Sequence, residues 1–158
     1  MEPNKPRPDL EPRVSLSMTG YLEKKAGMDP LEAIWSYDPT DPYTVSVTMR
    51  DTTSSTPGRQ VAWSFGRELL TSALTENEAI EETPIGDGDV QFRPCSPGDK
   101  YITMVLNSDG EQASIVLPRA DLKRFLGQSY TLVLPGEESK FLEPGLDETI
   151  DQLLWGSD

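Results

Sequence analysis

Asp38 and Asp41 stand three residues apart in the segment YDPTDPY, residues 37–43. Two carboxylates so placed can share a proton for acid–base work or hold a hard cation. Each precedes a proline, however, which drives the aspartate toward extended backbone and reads as a rigid turn. With no other ligand type nearby, turn chemistry is the stronger reading. GDGD, residues 86–89, lacks the alternating donors and closing glutamate of a calcium loop, and reads as a solvated loop. Cys95 is the single cysteine, and no histidine exists to activate it. The missing histidine also removes the commonest general base and the commonest metal ligand. No nucleophile-elbow serine, phosphate loop, dinucleotide glycine fingerprint or Cys/His metal spacing occurs. Carboxylate-only catalysis is what remains. The expectation is a protein with no enzymatic activity, no cofactor and no metal.

Charge narrows the partners. The 158 residues carry a net charge of −13. Residues 76–89 hold six acids and no base, and residues 137–158 hold seven acids against Lys140. The rest holds 14 acids and 13 bases, so the body is near neutral. Nucleic-acid binding needs Lys and Arg to replace counterions, and this balance opposes it. Anionic membrane should repel the chain too. No apolar run approaches the length of a membrane span. A lone cysteine fits a reducing cytoplasm.

The elements that would position these residues centre on VAWSFGRELLTSAL, residues 61–74. Val61, Trp63 and Phe65 share one face of a strand. At Gly66 the period changes, and Leu69, Leu70, Ala73 and Leu74 form one stripe of a helix running from about Arg67 to Thr75. This dense apolar patch is expected to anchor the core. Residues 1–12 carry four prolines and read as a flexible tail, leaving 13–158 as one domain. Val14, Leu16 and Met18 mark a half-buried strand, and residues 23–30 read as a turn. Tyr43, Val45, Val47 and Met49 mark a second strand, paired as a hairpin with the Val61 strand. After the acidic loop 76–89 come a short strand at Val90 and Phe92, a strand over 101–106, the turn NSDG, and a strand at Ala113, Ile115 and Leu117. Pro118 then opens a helix with the stripe Leu122, Phe125, Leu126; residues 130–134 extend it or form a short strand.

The order is strand, strand, strand, helix, stated twice. The two strand-to-helix junctions are alike: Arg67 and Arg119 each sit two residues past the last apolar strand residue. Leu146, Ile150, Leu153, Leu154 and Trp155 then give a C-terminal amphipathic helix over about 146–155. Its stripe either packs on its own domain or docks on a partner or second subunit.

Two motifs carry a family likeness. Tyr37, Asp38, Asp41, Pro42 and Tyr43 lead one strand, and Trp63, Phe65, Arg67, Glu68, Leu69 and Leu70 make the strand-to-helix junction. With Gly88-Asp89-Val90 and the acidic C-terminal helix, the chain resembles the SsgA-like sporulation and cell-division proteins of actinobacteria over about 13–154. The resemblance implies an α+β fold: two antiparallel sheets packed with helices as (βββα)×2, similar to the Whirly architecture, assembled as a trimer. It implies a non-enzymatic regulator of septation that helps place or support FtsZ or works with an SsgA-like paralogue. The alternative is a single-stranded nucleic-acid binder of the Whirly-like class. The matched residues look like core and turn residues.

Overall fold

The structure is a computed structural model that describes residues 13–52, 60–75, 85–86, 88–94 and 98–141. The proline-rich head, Cys95, residues 76–84 and 87 of the acidic loop, and the expected helix at 146–155 lie outside the described residues. Among the described residues, runs of apolar and alternating residues build seven strands. β1 (Val14–Lys24), β2 (Gly27–Tyr37), β3 (Thr44–Asp51) and β4 (Gln60–Gly66) precede α1 (Arg67–Leu74). β5 (Val90–Phe92), β6 (Tyr101–Ser108) and β7 (Glu111–Pro118) precede α2 (Arg119–Leu132), and a 3-10 turn spans Glu138–Phe141. The fold is α+β, dominated by antiparallel sheet.

Three expectations change. The element order is four strands and a helix, then three strands and a helix, because β2 occupies much of what reads as a turn. Asp29-Pro30 carries the turn signal, yet Pro30 sits where a proline breaks nothing. The ladder to β3 begins one residue later, at Leu31↔Asp51, so the missing N–H leaves no bond unmade. Beyond it Leu31, Ala33, Trp35 and Tyr37 alternate with Glu32, Ile34 and Ser36 and are all buried.

The second change is that all seven strands form one sheet, in the order β4-β3-β2-β1-β7-β6-β5. Its two halves meet through only two residue pairs, Tyr21↔Val116 and Leu22↔Ile115. Gly20 lies beside this seam. A Cβ there would stand 2.9 Å from Leu117 Cδ2 and 3.3 Å from Ile115 Cγ2, so a side chain at this position must displace the ends of buried neighbours.

The third concerns the core. β4 is an edge strand; Val61 is 49% exposed, and Trp63 and Phe65 are half-buried. The centre is Trp35, fully buried on β2. Its ring meets Phe65 edge-on at 5.9 Å and Phe125 of α2 at 5.8 Å. The sheet curls so far that Phe65 on one edge strand and Phe92 on the other lie 5.8 Å apart. Both helices pack inside this curl, α2 on β1, β6 and β7 and α1 on β4 and α2. Leu122, Phe125 and Leu126 are buried as the stripe predicts, and Lys123 and Arg124 are exposed. Residues 130–132 continue α2. The turn after β6 uses Asp109 and Gly110 at φ of 50° and 81°, as a two-residue hairpin requires.

Candidate functional site

The two sequence motifs come together at Arg67. Its backbone N–H donates to Tyr43 O at 2.7 Å, which ties the start of α1 to the end of the YDPTDPY turn. Its side chain is 2% exposed. The guanidinium lies 4.8 Å from the Tyr37 ring centre and 5.0 Å from that of Tyr130, between two aromatic faces. Nη1 donates to Ser129 O, Ser129 Oγ and Val133 O at 3.2, 3.3 and 2.7 Å. Nη2 donates to Glu138 at 2.9 Å. One buried cation thus joins the Val133 N–H on the Ser129 carbonyl, satisfies the Val133 carbonyl just past α2 and neutralises an acid in the following turn. Thr71 Oγ1 and Tyr130 OH, 2.5 Å apart, add a second tie between α1 and α2.

Electrostatics follow the geometry. The hydrogen bond from Arg67 holds the Glu138 carboxyl below its ordinary pKa. Burial pushes the Tyr37 phenol up to about 12, against the opposing pull of Arg67. The neutral Tyr37 OH donates to Pro42 O at 2.8 Å and so closes the turn on itself.

The two aspartates take part in the turn differently, Asp38 through its side chain and Asp41 through its backbone. Asp38 Oδ1 accepts from Thr40 N and Thr40 Oγ1, each at 2.9 Å, and the Thr40 N–H is the main reason its pKa is lowered. Its other oxygen pairs with Arg13 at 3.1 Å. Asp41 donates its N–H to Asp38 O and accepts from Thr44 N through its carbonyl. Pro42 is buried, and Tyr43 is 50% exposed. In α1, Leu70 is buried, Leu69 half-buried, and Glu68 faces solvent in the first turn, where its charge suits the helix dipole. Among the described residues no three or more carboxylate, cysteine or histidine groups gather as a metal site would require. Leu146, Ile150, Leu153, Leu154 and Trp155 lie outside the described residues.

The partners that Arg67 finds in α2 and the 3-10 turn carry no motif of their own. The one hint is the matched junctions: Arg119 is also buried, also begins its helix, and donates through Nη1 to Asp99 O at 3.2 Å. Two concave surfaces also escape a linear reading. A cleft of about 370 Å³ opens at the end of the curl away from Arg67, between Leu22, Leu31, Met49 and Val61 on one side and Leu106 and Ile115 on the other. A groove of similar volume runs between the sheet's two edges, with Trp63, Ser64 and Phe65 on one wall and Gly88, Asp89 and Val90 on the other.

The family described as Streptomyces sporulation and cell division protein, SsgA, matches residues 31–138, which include both motifs of the arginine clasp. The chain belongs to the SsgA family. The sporulation-specific cell division protein SsgB of Salinispora tropica is 37% identical over 128 residues, covering 80% of this chain and 82% of that protein. SsgB of Frankia casuarinae is 32% identical over 128 residues, covering 80% of each. A crystal structure of an SsgA-like sporulation-specific cell division protein from Thermobifida fusca superimposes with a TM-score of 0.70 at 26% identity, over 90% of this chain and 96% of that one. A solved SsgB structure, from work on longitudinal cell division during sporulation of Streptomyces coelicolor, gives 0.68 at 27% identity, over 83% and 96%. Among the described residues no helix is long and apolar enough to cross a membrane.

Proposed function

We propose that this member of the SsgA family is a regulator of sporulation-specific cell division that works by contact, as a non-enzymatic adaptor at the division septum. The observation that carries the reading is the similarity, over four-fifths of both chains, to a protein named for that process. The geometry supports it. Asp38, which could look reactive in the sequence, caps a turn, and the buried Arg67 is neutralised by Glu138. The cleft beside Leu22, Leu31, Met49 and Val61 has an apolar floor rimmed by charged side chains such as Lys24, Arg50 and Glu111, an arrangement suited to a contact surface. FtsZ and an SsgA-like paralogue are the proposed partners, and assembly into a trimer with a Whirly-like arrangement is the proposed state. A net charge of −13 weighs against the single-stranded nucleic-acid alternative.

Purified chain immobilised at low density should retain purified FtsZ or an SsgA-like paralogue, and sedimentation at micromolar concentration should give three copies per particle. Retention of neither protein would remove the adaptor reading. A sedimenting monomer would remove the trimer alone.

A further inference from the structure

Just past α2 the chain makes a turn whose pattern its C-terminal sequence repeats. Glu137 N–H donates to Leu134 O at 3.0 Å across Pro135-Gly136, and Gly136 takes a φ of 88°. Proline second and a positive-φ glycine third make a type II turn. It reverses the chain and brings Glu138 back to Arg67. A second turn follows at once, with Lys140 N–H on Glu137 O at 3.1 Å, and Phe141 closes the described residues. The point from which residues 142–158 continue is therefore fixed beside the buried arginine. Two large apolar side chains stand in solvent there, Leu134 at 57% and Phe141 at 42% exposure.

Glu143-Pro144-Gly145-Leu146 carries the Pro-Gly pair in the same two positions as Leu134-Pro135-Gly136-Glu137. A type II turn there reverses the chain within four residues of Phe141, so the following residues run back over the end they came from. Those residues hold the stripe Leu146, Ile150, Leu153 and Leu154, at i, i+4, i+7 and i+8 on one helix face, with Asp147, Glu148 and Asp151 off it. A helix of about ten residues is marginal in water and needs a surface for its stripe. It spans about 15 Å, enough to cross both turns. The apolar cleft beside Leu31 is the more distant choice. Tyr37 lies at Arg67, and Leu31 is six residues back along β2, about 20 Å away.

We infer that residues 146–155 form a strap, folding back through Pro144-Gly145 and laying their apolar stripe on Leu134 and Phe141 of the same chain. Two features make the chain's own segment the occupant. The turn directs it inward, and so short a connection holds it there at an effective concentration that a separate partner rarely matches. The acids of the strap stay in water while its leucines leave it.

The test is NMR on the full chain. Nuclear Overhauser contacts are expected from Leu134 and Phe141 to methyl groups of Ile150, Leu153 or Leu154, with amide exchange at Leu153 and Leu154 slowed by at least about tenfold over unstructured chain. Gly145→Val should remove that protection, since a β-branched residue resists positive φ. Leu134→Ser combined with Phe141→Ser should remove it too. The amides of β2 and β3 should stay as protected as in the parent, because both side chains are exposed. Met28→Ser, 55% exposed in the hairpin at the other end of β1 and β2, should change nothing. Fast exchange throughout 146–155 would overturn the proposal, as would contacts to Leu31 or Val61 in place of Leu134. Protection that survives Gly145→Val or the double serine variant would overturn it equally. So would contacts found only between differently labelled copies in a mixed sample, which would make a second copy the occupant.

Discussion

Arg67 and Glu138, 71 positions apart, meet at 2.9 Å with the arginine almost wholly out of water. The bond links the first residue of α1 to a turn beyond the end of α2. Removing the cation takes the donor from Val133 O and from Glu138 Oε2 and one of two donors from the Ser129 carbonyl, and leaves the Glu138 charge without its counter-ion. Arg67→Ala is expected to destabilise the chain by about 3–5 kcal/mol, seen as a fall in melting temperature of about 2–4 °C per kcal/mol. Arg67→Lys should rescue little of this, since an ammonium cannot stack between Tyr37 and Tyr130 or reach four acceptors as a fork does. Full stability in Arg67→Lys, measured by calorimetry, would show that the charge alone suffices.

Glu138 gives the clasp an acid limit. Its folded pKa lies below the unfolded value, so its stabilisation is complete above the unfolded pKa and is lost as pH falls through the folded one. Denaturant midpoints measured from neutral pH downward should fall less steeply for Glu138→Gln than for the parent. Parallel curves would place the acid sensitivity elsewhere.

Tyr37 sets the opposite limit. Its folded pKa is raised from 10.0 to about 12, so the unfolded chain ionises first and stability drops as pH rises through that interval. Tyr37→Phe should remove the drop. It also loses the bond to Pro42 O, for about 1 kcal/mol at neutral pH. Alkaline titration of the unfolding midpoint checks both effects in one experiment.

The position of the core can be weighed by substitution. Trp35→Ala should cost about 3–5 kcal/mol, whereas Val61→Ser, half in solvent on the edge strand, should stay within about 0.5 kcal/mol. The sequence pattern alone ranks these two the other way. That error is instructive. β1, β3, β4, α1, α2 and the β6–β7 hairpin announce themselves by local period and turn residues. β2 has as clean an alternation, but Asp29-Pro30 at its start imitates a turn, and only the register with β3 shows that Pro30 lies outside the ladder. The site is legible in the same uneven way. The residue types at Tyr37, Arg67 and Phe65 stand out, yet Ser129, Val133 and Glu138 become partners only through helix packing across 62 to 71 positions. A groove between two sheet edges belongs to the curl, which no local pattern encodes.

Gly20 should tolerate nothing larger. Gly20→Ala must push on Leu117, Ile115 and Leu31, all buried, at an expected cost of about 1–3 kcal/mol. Gly27→Ala would be uninformative here, because its φ of 141° adds backbone strain of its own. Unfolding of Gly20→Ala with unchanged stability would mean that β1 and β7 can move apart.

The narrow seam between β1 and β7 bears on how the molecule is made. Tyr21 and Val116 are 95 positions apart, so joining them closes a long loop for the return of two residue pairs. Each half, by contrast, zips from neighbouring hairpins. Assembly should therefore run as two local events followed by a slower union, and amides at the junction should acquire protection after those within the hairpins. A ribosome would release the first four strands and α1 well before β7 exists to meet them, leaving β1 with an open side during synthesis.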